Sequence, residues 1–135
     1  MRFVDTNVLL YALSTTPAEA AKARVAQEIL GATDLALSVQ VLQEFYVQAT
    51  RTGRKDRLTH DQAALLVESW LRFPVQETTV AIVRSALETK RRHRLSYWDA
   101  AVVAAARSLG CEVLLSVDLA HGRDYDGVRV VDPFR

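Results

Sequence analysis

The chain has 135 residues, half of them apolar and 24% charged, and its 17 Lys and Arg against 16 Asp and Glu leave a formal net charge of +1. That length suits one domain with one full core, and near-neutrality provides no overall field that would gather nucleic acid. No apolar run reaches the roughly 18 residues of a membrane span, no basic and then apolar leader opens the chain, and one cysteine with three scattered histidines argues against disulfides and structural zinc, so a cytoplasmic, non-membrane protein is expected.

In chain order, Arg2-Phe3-Val4 reads as a strand and Asn7–Leu13 as a short helix. Thr16 as N-cap, Pro17 at the first helical position, Glu19 closing a capping box and Gly31 past the end predict the next helix. Residues 35–37 give a strand, and Ser38 opens a helix that places Val41, Leu42, Phe45 and Ala49 on one face, with Glu44 at its border. The polar loop 51–57 follows. A Thr59–Gln62 capping box starts a helix running through Trp70 and stopped before Pro74. Residues 75–77 read as a strand, and Thr78 or Thr79 begins a helix ending in the basic run Lys90-Arg91-Arg92-His93-Arg94. Ser96 caps an almost wholly apolar helix, Tyr97–Leu109, ended by Gly110, so this helix is expected at the centre of the fold. Residues 112–118 and 128–131 read as strands joined by a loop, 119–127. Alternating strands and helices predict a single α/β domain over 1–135 with a mainly parallel sheet.

Right-handed crossovers place the carboxyl end of each parallel strand, and the start of the helix after it, on one rim of the sheet. Asp5 after the first strand, Glu44 in the second turn of a helix, Asp99 in the first turn of the apolar helix and Asp118 at a strand end all fall there. Singly, each has a plain structural reading: Asp5 an N-cap, Asp99 part of a capping box, Glu44 a solvated neighbour of an apolar stripe, Asp118 a turn residue. Together they would repel by roughly 3–4 kcal/mol per close pair. Protonation relieves that repulsion, and so does a divalent cation. All-oxygen donors without nearby His or Cys suit Mg²⁺ or Mn²⁺, with Asn7 and Ser116 as supporting polar groups. Metal-assisted phosphodiester hydrolysis is the chemistry such a centre serves.

The segments FVDTNVLLYA, QVLQEFY, LSYWDAAVVAAA, LLSVDLAHG and DGVRVVDPF resemble, in order and spacing, the PIN-domain ribonucleases, most of all the VapC toxins of bacterial toxin–antitoxin pairs. The resemblance implies a three-layer α/β/α fold and a Mg²⁺- or Mn²⁺-dependent endoribonuclease in which a metal-activated water hydrolyses RNA. Asp5, Glu44, Asp99 and Asp118 are then catalytic metal ligands, with Asp5 and Asp99 the direct ones. Some relatives carry a further acid where this chain has Ser116 and Val117, a departure that bears on a second metal. The resemblance further implies a homodimer and a VapB-like antitoxin.

Two basic groups are candidate RNA contacts: Arg51, Arg54 and Lys55 in the loop before the capping-box helix, and Arg91, Arg92 and Arg94 ahead of Tyr97. The same residues also read as solvated cations, the second group complementing a helix C-terminus. Trp70, Phe73, Tyr97 and Trp98 read as core or interface aromatics, and His121 as a surface-loop residue. The competing function is a non-catalytic PIN-like RNA-binding or scaffold domain, which predicts missing acids. A phosphotransfer enzyme would need a second Asp two residues after Asp5, where Asn7 stands.

Overall fold

A computed structural model describes all 135 residues. Six strands, β1 (Arg2–Val4), β2 (Leu35–Ser38), β3 (Val75–Gln76), β4 (Val113–Leu115), β5 (Asp124–Tyr125) and β6 (Val128–Val131), form one sheet in the order β3-β2-β1-β4-β6-β5. All pairs are parallel except β5 with β6. The helices are α1 (Thr6–Tyr11), α2 (Ala20–Leu30), α3 (Val39–Thr50), α4 (His60–Trp70), α5 (Val80–His93) and α6 (Tyr97–Ser108). No helix is long and apolar enough to cross a membrane.

The chain steps from β1 to β2 to β3 in one direction and returns to β4 in the other. With right-handed crossovers, α1 to α4 therefore cover one face of the sheet and α5 with α6 the opposite face, which makes three layers. Between them lies one large core that includes Phe3, Leu9, Leu37, Phe45, Val103 and Leu114, each worth about 1.5–3 kcal/mol when fully buried. In α6 every residue from Ala100 to Ala106 is buried, and Ala101 and Ala104 let α5 approach through Ala86. The central position expected for this helix is what the structure has.

Side-chain caps set most helix starts. Ser38 accepts from the Val41 amide, Thr79 from Ile82 and Ser96 from Asp99, and Thr59 with Gln62 forms the full capping box. Gly110, at φ 75°, ends α6 in the left-handed region that suits glycine.

Four sequence expectations need correction. Pro17–Glu19 forms a 3-10 turn, and Glu19 accepts from Ser14 Oγ at 2.6 Å instead of closing a box with Thr16. Helix α1 begins at Thr6 and ends at Tyr11, short of Leu13. Strand β4 ends at Leu115, so Asp118 lies in a bend three residues beyond it. The stretch 119–127 is not all loop: Asp126 (φ 57°) and Gly127 (φ 96°) both turn left-handed, making a two-residue hairpin between β5 and β6.

Candidate functional site

The strand registers bring Val4 beside Leu115 and Leu115 beside Val131, so the carboxyl ends of β1, β4 and β6 finish level. Asp5 follows immediately. Its amide donates to the Leu115 carbonyl at 3.0 Å, extending the ladder by one step, and Ser116 does the same towards Val131 at 3.1 Å. The two residues are thereby fixed side by side, and Ser116 Oγ donates to Asp5 Oδ2 at 2.7 Å.

Asp5 is only 4% exposed. Its Oδ1 accepts the Thr6 amide at 2.8 Å, so the N-cap reading of this residue is met by the same side chain that faces the rim. Asn7 spans the gap to the last acid: its Nδ2 reaches Ser116 Oγ at 3.3 Å and Asp118 Oδ2 at 3.1 Å. The Val117 amide donates back to Asn7 Oδ1 at 3.3 Å, and the Asp118 amide to Ser116 Oγ at 3.1 Å. An amide and a hydroxyl thus hold the exposed Asp118 beside the buried Asp5.

Glu44 enters from α3, the helix that follows β2 without a loop. Its Oε2 accepts from Thr6 Oγ1 and its Oε1 from Gln40 Nε2, both at 2.9 Å. Gln40 also donates to the Trp98 carbonyl at 3.3 Å, joining α3 to the start of α6, where Asp99 stands half-buried. Thr6 and Gln40 were not among the sequence candidates. Gln40 was readable as the residue one turn before Glu44 on the same face; Thr6 meets Glu44 across 38 residues, which only the fold reveals.

The electrostatics follow from this crowding. Burial pushes the Asp5 carboxyl from 3.8 up to about 6, the charges of Asp118 and Glu44 push the same way, and the Ser116 and Thr6 hydrogen bonds oppose them. Burial also raises Asp99, helped again by Asp118 and Glu44. The charges of Glu44 and Asp118 therefore act on both Asp5 and Asp99, which draws the four acids, from distant parts of the chain, into one basin. The donor chemistry there is oxygen only, which fits a hard cation. As they stand, no three acidic or imidazole groups converge closely enough to form a ready ion cage; Glu44 and Asp118 are instead engaged by neutral donors.

The basic candidates separate into two groups. Arg54 lines a cavity of about 220 Å³ with Asn7, Leu10, Tyr11 and Glu19, so it borders the acid basin through Asn7. Its Nε is buried without a hydrogen-bond partner. Arg51 and Lys55 are exposed on the same loop. By contrast, Arg91 pairs with Glu88 at 2.5 Å and Arg92 with Asp126 at 2.6 Å. Asp126 sits at the amino end of β6, on the rim opposite the acids. The expectation that this run flanks Asp99 is corrected for Arg92, whose charge is drawn to the hairpin turn; Arg94 is exposed at the end of α5.

Trp70 and Phe73 are core residues, whereas Trp98 is 63% exposed, so of the two readings, core or interface, it takes no core position. His121 lies on the surface and accepts the Asp132 amide at Nδ1. A surface cavity of about 500 Å³ between α3 and α4 is mostly apolar and contains none of the four acids.

A family model described as "PIN domain" matches residues 2–123. No curated protein matches at a significant level. Among solved structures, a toxin–antitoxin complex from Klebsiella pneumoniae superposes with TM-score 0.69 at 20% identity, covering 98% of both chains. DNA-bound VapBC from Salmonella typhimurium gives 0.66 at 18% identity over 98% of this chain and 97% of the other. Mycobacterium tuberculosis VapC20, a toxin that cleaves the sarcin–ricin loop, gives 0.62 at 22% identity over 84% and 87%. At these identities the likeness is one of fold.

Proposed function

Because the chain belongs to the PIN-domain family, we propose that it is a Mg²⁺- or Mn²⁺-dependent endoribonuclease and the toxin of a type II toxin–antitoxin pair. The observation that carries this reading is the burial of Asp5 at the carboxyl rim of the sheet, within reach of the charges of Asp118 and Glu44, which also act on Asp99. Such crowding opposes folding unless a cation offsets it.

In this reading Asp5 and Asp99 hold the ion, and Glu44 and Asp118 complete the donor set. Asn7 and Ser116 orient Asp5 and Asp118 through the hydrogen bonds already described. When bound, a hard divalent ion neutralises a phosphate and lowers the pKa of water. Arg54 offers the other half of substrate binding, a guanidinium beside Asn7 with one buried donor unmet. An RNA phosphate is the natural partner for the rest of that guanidinium, and exposed Arg51 and Lys55 extend the same cationic edge. The antitoxin part rests on the fold neighbours being toxin–antitoxin complexes, and the homodimer part on the resemblance of the sequence to VapC toxins. Apolar side chains left uncovered, such as Val47 and Leu65, give a partner protein something to bury.

The test is incubation with total RNA in Mg²⁺, in Mn²⁺ and in EDTA. Wild type cleaves with either metal and not in EDTA, while Asp5→Asn and Glu44→Gln fold and do not cleave. Cleavage that persists in EDTA or in Asp5→Asn overturns the assignment.

A further inference from the structure

A second cleft, about 210 Å³, is lined in part by Gln40, the residue whose amide donates to Glu44. Its floor is Ile82, Ala101 and Ala105, all 8% exposed or less and offering small apolar surface. Trp98 stands at its wall with most of its ring in solvent, and Gln43 and Gln76 supply amides at its edge. Gln76 spends its Nε2 on the Glu77 carbonyl and keeps its Oε1 to accept; Gln43 is exposed on α3. An exposed indole beside small apolar side chains, with amides and the Glu77 carboxylate also in the lining, suits the face and the amino edge of a planar heterocycle. An exposed tryptophan that fills no core position costs solubility, and a stacking partner removes that cost.

The cleft is joined to the acid basin by two short links. Gln40 contacts both Glu44 and the Trp98 carbonyl, and Trp98 precedes Asp99 in the chain. A base held in the cleft therefore belongs to a nucleotide next to the phosphate facing the acids. The lining contains no Arg or Lys, the side chains that read guanine O6 and N7, whereas a glutamine amide matches the N6 and N7 pair of adenine.

We propose that this cleft is a nucleobase subsite that stacks an adenine of the RNA on Trp98 and reads its edge with Gln43 and Gln76. The proposal rests on the ribonuclease reading for its substrate, but its test does not depend on cleavage alone. Cut sites in a random-sequence RNA pool are sequenced for wild type, Trp98→Phe, Trp98→Ala and the Gln43→Ala/Gln76→Ala double variant. Wild type and Trp98→Phe show adenine enriched at a fixed position beside the cut. Trp98→Ala loses about tenfold in kcat/KM for adenine-containing sites, and the glutamine variant no longer enriches adenine beside the cut.

Independently, the trinucleotide ApApA quenches tryptophan fluorescence in wild type and not in Trp98→Phe, where only buried Trp70 remains. Quenching without any cleavage refutes the enzyme and keeps the subsite. Cleavage with an unchanged cut-site profile in Trp98→Ala, or no quenching by ApApA, overturns the subsite and leaves Trp98 as a contact for a protein partner.

Discussion

At the scale of single residues, Asp5 does two jobs that pull against each other. As N-cap of α1 and acceptor for Ser116 it favours the fold; as a buried carboxylate beside Asp118 and Glu44 it opposes it. Its folded pKa, about 6, lies above the ordinary 3.8, so the folded state binds the proton more tightly than the unfolded chain does. Below about pH 4 both states are protonated and nothing is lost. As pH rises to 6 the native carboxyl resists ionisation, and stability falls by roughly 3 kcal/mol before levelling off. Asparagine keeps the capping oxygen and removes the charge. In EDTA, thermal unfolding of wild type should therefore lose stability between pH 4.5 and 7.5 relative to Asp5→Asn, and Mg²⁺ at pH 7.5 should restore it in wild type only. Parallel pH profiles for the two proteins would show that burial of Asp5 carries no such penalty.

Among the secondary-structure elements, those announced by a capping side chain were legible, because Ser38, Thr59, Thr79 and Ser96 act within three residues of themselves. Thr16 failed as a cap because Ser14 claims Glu19, a competition between neighbours that no pattern of residue types displays. Strand β5 is two residues long, too short for any alternation, although the Asp126-Gly127 turn beside it is itself a hairpin signal. Asp5, Glu44 and Asp99 were legible as rim residues from the order of strands and helices; the position of Asp118 depends on Asn7, 111 residues away, as well as on Ser116 two residues before it. The hairpin turn also collects Arg92, His93 and Arg107 on Asp126, and the Arg92 hydrogen bond, with His93, holds that carboxyl below its ordinary range. Asp126→Ala removes these contacts and forces a left-handed alanine, so it should cost about 1–2 kcal/mol in urea unfolding. Asp126→Asn tolerates the left-handed turn and should cost less; equal losses would mean the turn conformation contributes nothing.

For the whole molecule, a net charge of +1 means that RNA affinity must come from where the cations are placed, not from how many there are. Two basic groups looked equivalent in sequence, and the fold distinguishes them. Arg91 and Arg92 already have carboxylate partners, whereas Arg54 sits beside the acid basin with an unmet donor and Lys55 is exposed next to it. Each cation that neutralises a phosphate releases condensed counterions, contributing about 0.7 to the slope of log affinity against log salt for single-stranded RNA. Removing Arg54 and Lys55 together, as Arg54→Gln/Lys55→Gln, should thus lower the slope by about 1.4 and weaken binding most at low salt. Arg91→Gln/Arg92→Gln should leave the slope unchanged, because it breaks internal ion pairs and not contacts to RNA. Fluorescence anisotropy of a labelled oligoribonucleotide in the inactive Glu44→Gln background measures both without cleavage. A slope that falls with the second pair and not the first would move the RNA path to the hairpin rim, away from the acids, and would separate substrate binding from the site that is proposed to cut it.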